Sequence, residues 1–273
     1  MSRLPRPAEN LPRTNLPTEP GQPKQPGQQK QPGRSGQSGR PAQPAAAGSV
    51  ESLYPFIYSG TIDPDQVMAQ ARQSTVAKTR EIIDLRAEVC AKNSGLLISC
   101  AHEMAAKFTA GGRLLTFGNG GSATDAQELA ALFMYPQDVA TSLPAIGLAS
   151  DVSVLTSLAN DIGVEVVFSR PIAAFGGKND IAVGLSTSGN SGNLLRAFAE
   201  ASRRGMLTVG IAGYDGGKMA ELDTLDYLFV APSASVHRIQ EAQTTMYHAL
   251  WELTLGQLQT EVATLCAWES PAS

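Results

Sequence analysis

"RLLTFGNGGSATDAQELAALFM", residues 113–134, is the stretch from which the fold is read. Leu114, Leu115 and Phe117 form a short, nearly continuous apolar run, the mark of a strand covered on both faces. Gly118-Asn119-Gly120-Gly121-Ser122 then breaks it. Glycines let a backbone turn tightly and expose its N–H groups, and the segment at about 123–134 reads as the helix that follows. A glycine turn between a strand and a helix N-terminus is built to hold an anion, because unpaired N–H groups and the helix dipole both favour negative charge there.

The same alternation continues along the chain. Further apolar runs stand at "PAIGLA" (144–149), "DIAVGLS" (180–186), "MLTVGIAG" (206–213) and "DYLFVA" (226–231), separated by helical segments. The pattern predicts a three-layer α/β sandwich around a five-stranded parallel sheet. A long helix at about 235–262 closes the chain. Upstream, Asp63-Pro64 reads as an N-cap and first helical residue, and two leading helices are expected before Gly111-Gly112. The expected divisions are a tail at 1–50, a helical region at 51–112 and the sandwich at 113–263.

Composition limits the function. The 273 residues carry a net charge of −4, unevenly spread. Residues 1–50 hold seven Lys/Arg against two Asp/Glu, and the remainder holds 14 against 23. An acidic folded part is a poor general ligand for nucleic acid. Residues 1–48 contain ten of the seventeen prolines and seven glutamines, so a disordered basic tail is expected, a solvated arm before a partner-binding one. "LYPFIY" (53–58) clusters aromatics that suit docking onto the domain or a neighbouring subunit. Cys90, Cys100 and Cys266 have no metal-ligand spacing and are expected to be reduced and buried. No apolar run reaches the length of a membrane span and no apolar leader is visible, so the cytoplasm is the expected location.

A second candidate loop lies at "LSTSGNSGN" (185–193), after the strand at 180–185. Ser186, Thr187, Ser188 and Ser191 place four hydroxyls around one turn. Hydroxyls with free N–H groups suit a phosphate without Lys or Arg. Such clusters are also ordinary turn chemistry, and Ser191 alone reads equally as a helix cap. Residues 118–123 match neither the dinucleotide fingerprint nor the Walker loop, since no Gly-Lys-Ser/Thr follows.

"GNGGSATDAQELAA", "LANDIGVEVVFSRPIAAFG", "LSTSGNSGNLLRAF", "GYDGGKMAEL" and "RIQEAQTTMYHAL" follow one another in the order seen in the sugar isomerase (SIS) domain. Over about residues 75–260 the chain resembles that domain's phosphoheptose isomerase branch, which includes sedoheptulose 7-phosphate isomerases and a non-enzymatic relative that binds the bacterial replication initiator. The resemblance implies a flavodoxin-like sandwich, a homotetramer with active sites between subunits, and a phosphorylated sugar as ligand. It implies substrate contacts at Asn119, Gly120 and Gly121, with Ser122 in the same turn. Further contacts fall on Asn160, Asp161, Ser186, Thr187, Ser188, Ser191 and Gln240.

The catalytic positions divide. Aldose–ketose isomerisation needs a base that moves a proton between adjacent carbons through an enediol, and an acid or a metal to manage the oxygens. The resemblance implies His248 as the retained acid/base, but the position of the family's helix Glu is Leu132, which moves no proton. One turn earlier, where the isomerases carry a metal-binding His, stands Glu128. Residues four apart share a helix face, so Glu128 is the candidate substitute base, displaced by about 6 Å along the axis. No cofactor is required by the sequence. In members that bind zinc the ligand set maps onto Glu128, Leu132, Gln240 and His248, of which Glu128, Gln240 and His248 keep donors. His237 replaces a common Asp and faces the pocket or merely precedes the helix; Gln240 and Glu241 also suit bracing of a subunit contact. His102 reads as structural, and Met246, Tyr247 and Trp251 as core or interface. Three readings stand at this point: a phosphosugar isomerase, a phosphosugar-binding regulatory tetramer without turnover, or a relic phosphate pocket on a chain whose tail recruits partners.

Overall fold

The computed structural model describes residues 63–136 and 142–269. The tail at 1–50 and the aromatic stretch 53–58 lie outside the described residues, as does the side chain of Cys266.

Five parallel strands form one sheet in the order β2-β1-β3-β4-β5. They are β1 (Leu114–Gly118), β2 (Ala145–Gly147), β3 (Ile181–Ser186), β4 (Leu207–Gly213) and β5 (Tyr227–Ala231). The register sets Leu114 beside Ile181 and Ile181 beside Leu207. Every residue of β1, β3 and β4 is buried, as continuous apolar runs require, whereas the edge strands β2 and β5 are only partly covered.

Alternate side chains of each strand feed two cores. On one face Leu114, Val183 and Ile211 pack against α1 (Pro64–Thr109), α2 (Gly121–Met134) and α6 (Val236–Glu269). On the other, Leu115, Phe117 and Ala182 pack against α4 (Ser169–Phe175) and α5 (Gly192–Arg203) through Ile172, Leu194 and Phe198. The remaining helix, α3 (Val152–Asp161), lies in the β2–β3 crossover. Asp151 caps it by accepting from the Val154 N–H at 3.0 Å.

One helix replaces the two expected before β1. Asp63 caps it as the sequence indicates, accepting from the Asp65 N–H at 3.0 Å, but α1 then runs unbroken for 46 residues. Asn93-Ser94-Gly95 does not interrupt it. The Asn93 side chain donates back to the Val89 carbonyl at 2.8 Å, and buried Val89, Leu97, Cys100 and Met104 continue one inward stripe through it. That stripe also corrects the cysteines. Cys100 falls on it and is buried, while Cys90, one residue past Val89, turns out to solvent. Burial pushes the Cys100 thiol far above its ordinary range, which leaves it unreactive. Among the described residues no helix is long and apolar enough to cross a membrane.

The end of the sheet where β1 and β3 begin is tied by a buried carboxylate. Asp180 accepts from the Arg113 N–H at 2.7 Å, from the Arg113 guanidinium at 3.0 Å and from the Gly177 N–H at 2.9 Å. Asp180→Ala leaves the Arg113 and Gly177 N–H groups without their acceptor, while the Arg113 guanidinium keeps the Phe175 carbonyl, and is expected to lower stability by about 2 kcal/mol. Thermal unfolding checks this, and ligand affinity, decided at the opposite end of the strands, should not change.

Candidate functional site

Both glycine- and serine-rich loops stand at the carboxyl ends of adjacent strands, β1 and β3. In open parallel sheets that is the ligand-binding edge. Gly120 has φ 56° and ψ −124°, a conformation open to glycine. At Gly121 a Cβ would stand 2.3 Å from Nε2 of Gln240, so the missing side chain is what lets α6 lay its amide against the turn.

The two helices that leave these loops differ from α1 and α3. Neither α2 nor α5 has a side-chain cap of the kind Asp63 and Asp151 provide elsewhere; in their first turns the Ser122, Ala123 and Leu194 N–H groups donate to the backbone carbonyls of Asn119, Gly120 and Ser191 at 3.1, 3.0 and 3.0 Å. Ser191 occupies the cap position of α5 without capping it; its hydroxyl lies 3.4 Å from that of Ser186. Ser186 and Ser188 accept from the Gly189 and Asn190 N–H groups at 3.1 and 3.2 Å, and Thr187 lies between them, half-buried. Ser122 is buried beneath the first turn. The loops are joined by a reciprocal amide pair, Asn119 Nδ2 to Asn193 Oδ1 and Asn193 Nδ2 to Asn119 Oδ1, both 2.9 Å. Asn193 was not among the expected site residues. Its partner is 74 residues away, and nothing local marks it.

α6 crosses the strand ends and presents one face to the site. Gln243 donates to the carbonyls of Ser186 and Ile211 at 3.3 and 3.1 Å, anchoring the helix beside the serine loop. About one turn on, Tyr247 and His248 meet Glu128 of α2. The Tyr247 hydroxyl donates to Glu128 Oε2 at 2.9 Å, and His248 Nε2 lies 3.4 Å from Glu128 Oε1. These groups open on a cleft of about 360 Å³ lined by Glu128, Ala131, Leu132, Tyr135, His248 and Trp251. Trp251 Nε1 is buried there without a hydrogen-bond partner.

A further carboxyl was overlooked in the sequence. Asp125, one turn before Glu128 and half-buried, has an Oδ2 without a partner. Burial raises its pKa above the ordinary carboxylate value, a Gln240 hydrogen bond opposes the rise, and the charge of Glu128 adds to it. A raised folded-state pKa stabilises the fold below the unfolded carboxylate value, and that contribution is lost as pH climbs through the folded value. Asp125→Asn is therefore expected to melt higher than the parent at neutral pH, with the difference closing in acid. Melting curves across pH check the sign.

The other expected residues separate. Asn160 and Asp161 end α3, exposed; the Asn160 amide donates to Asp161 at 2.9 Å, and Ser157 donates to it at 3.2 Å. His237 is exposed in the first turn of α6, and His102 is exposed on α1. Glu241 pairs with Arg238 and its carbonyl accepts from Arg86 of α1 at 3.4 Å, so it braces the helices of its own subunit.

Zinc fits this arrangement poorly. A zinc site ordinarily takes four ligands. Glu128 and His248 are close enough to share an ion, but Glu128 Oε2 already accepts from Tyr247, and Leu132 contributes only carbon to the cleft. The Gln240 Nε2 is turned toward Gly121. Among the described residues no three His, Cys, Asp or Glu side chains converge as a metal site.

Comparison with known proteins agrees with this architecture. The SIS domain model matches residues 79–213. The phosphoheptose isomerase of Desulfovibrio desulfuricans is 44% identical over 193 residues, 70% of this chain and 91% of that protein. That of Nitratidesulfovibrio vulgaris is 38% identical over 205 residues, 75% of this chain and 98% of that protein. Among solved structures, the phosphoheptose isomerase GmhA from Neisseria gonorrhoeae superposes with a TM-score of 0.64 at 34% identity, covering 68% of this chain and 99% of that one. A phosphoheptose isomerase from Francisella tularensis gives 0.62 at 27% identity, covering 67% and 97%. The chain belongs to the SIS domain family, alongside its phosphoheptose isomerases.

Proposed function

We propose that the chain is a cytoplasmic phosphosugar isomerase that interconverts the ketose sedoheptulose 7-phosphate and its aldose isomer through an enediol. The observation that carries this reading is the meeting of Glu128 and His248 in the cleft beyond the uncapped start of α2. The two loops hold the phosphate with hydroxyls and N–H groups. Glu128 lies seven residues along α2 from Gly121, about 10 Å at the helical rise, a distance that suits an extended phosphorylated sugar of about seven carbons.

In the reaction, Glu128 Oε1 takes the proton from the hydroxyl-bearing carbon next to the carbonyl. The electron pair of that C–H bond becomes the enediol double bond, and the proton returns to the neighbouring carbon. His248 moves the second proton between the two oxygens. No step passes through a metal. Against a purely regulatory role stands the meeting of Glu128 with His248 in the cleft; such a role would need the phosphate pocket alone.

Assembly is part of the proposal. The N-terminal part of α1 exposes Val67, Met68, Val76 and Ile83, apolar surface that suits burial against further copies in a homotetramer. Light scattering should give four chains per particle. The deciding experiment is a proton NMR time course with sedoheptulose 7-phosphate, run after chelation and again with added zinc. An aldose anomeric signal at a rate within about twofold in both samples is expected, since the site lacks a full ligand set. Absence of conversion in both would overturn the reading.

A further inference from the structure

Tyr247 is a core residue whose polar end does something a core residue need not do. Its ring is fully buried and stacks on His248 with centroids 5.2 Å apart. Its hydroxyl reaches out of the core to Oε2 of Glu128 at 2.9 Å. Burial raises its pKa far above the ordinary tyrosine range; a Thr244 hydrogen bond opposes the shift and the Glu128 carboxylate adds to it. The phenol therefore stays protonated, a permanent donor. Glu128 needs one. It is a long side chain on an exposed stretch of α2, and Leu132, one turn on, offers it no polar contact. With His248 alone it would be held at one oxygen only, by a 3.4 Å contact that is a hydrogen bond only when the imidazole carries its proton on Nε2.

We propose that Tyr247 is a positioning residue: its hydroxyl fixes Oε2 of Glu128, so that Oε1 alone is presented beside His248 to the cleft. The inference rests on the isomerase reading for its consequence in rate, though not for the placement of Glu128. It explains how a glutamate at position 128 is held in place as a base while position 132 is leucine. The geometry assigns one oxygen to the anchor and the other to the proton, and a carboxylate anchored at one oxygen keeps the alignment that proton transfer at carbon requires.

Tyr247→Phe removes the hydroxyl and leaves the ring, so packing is preserved. With sedoheptulose 7-phosphate and the full chain, kcat is expected to fall about tenfold, the effect of one hydrogen bond to a charged group, with KM unchanged. Lost core packing alone would lower the melting temperature and leave kcat per folded molecule as it was. Crystal structures of the parent and the variant supply a reading independent of turnover: the Glu128 carboxylate should leave its place against α6 in the variant. An unchanged kcat, or a Glu128 that keeps its pose without the hydroxyl, overturns the proposal. If the parent shows no turnover at all, the isomerase reading fails, and the two crystal structures alone decide whether Tyr247 holds Glu128.

Discussion

Glu128→Gln is expected to lower kcat by about 10²- to 10³-fold while leaving KM within about twofold. Glutamine keeps the length of the side chain, and its carbonyl oxygen still accepts from the Tyr247 hydroxyl that Glu128 now receives at 2.9 Å. What disappears is the ability to take a proton from carbon. A loss confined to kcat identifies a group that acts in the transition state and not in binding. His248→Ala should lower kcat by a comparable factor, and the double variant should be little worse than either single one, because the two residues act on one proton circuit. Steady-state kinetics on the three proteins, each checked for an unchanged melting curve, is the test. If Glu128→Gln turns over at the parental rate, the base lies elsewhere, and Asp125 becomes the first alternative.

The second large effect is expected at Gly189. Its φ is +65°, and a Cβ there would stand 1.9 Å from the Gly216 carbonyl oxygen. Both objections act on backbone, which has no rotamer with which to yield. Gly189→Ala should therefore detach the serine loop from the Gly216–Gly217 turn, separating hydroxyls that now converge from Ser186 and Ser191. Stability is expected to fall by about 2–3 kcal/mol. Affinity for the sugar phosphate is expected to fall more steeply, by about a hundredfold, since several donors lose their common focus at once. Calorimetry with sedoheptulose 7-phosphate checks the affinity. Binding at parental strength would show that the serine loop is not the phosphate site.

The elements of this fold were legible because each is written locally. Apolar runs gave all five strands, and Asp63-Pro64 gave the start of α1. The expectation of two helices before Gly111-Gly112 fails because the continuity of α1 is enforced by a stripe of buried contacts, Val89, Leu97, Cys100 and Met104, set by packing against the rest of the fold. The site divides in the same way. Its turns carry Gly and Ser signatures, so Asn119 to Ser122 and Ser186 to Ser191 are found together at the strand ends. Asn193 and Tyr247 escape notice because their partners lie 74 and 119 residues away. An asparagine in the first turn of a helix and a tyrosine among apolar neighbours look ordinary until the chain folds. Asp125 escaped for another reason: its meaning lies in an oxygen left without a partner, and no sequence pattern records that.

The uncapped starts of α2 and α5 have a consequence for how the protein meets its ligand in solution. Residues 118–122 and 186–193 contain no lysine or arginine. A dianion captured there exchanges water dipoles for fixed peptide and hydroxyl dipoles, with no countercharge drawing it in from a distance. Dipolar fields fade quickly, so mobile ions have little to screen. Affinity should then be almost flat across physiological salt, and encounter should proceed at an unsteered rate on an acidic surface. Selectivity is moved from charge to shape. Tetrahedral oxyanions of similar size, sulfate and arsenate among them, become the natural competitors, while planar carboxylates find too few donors in register.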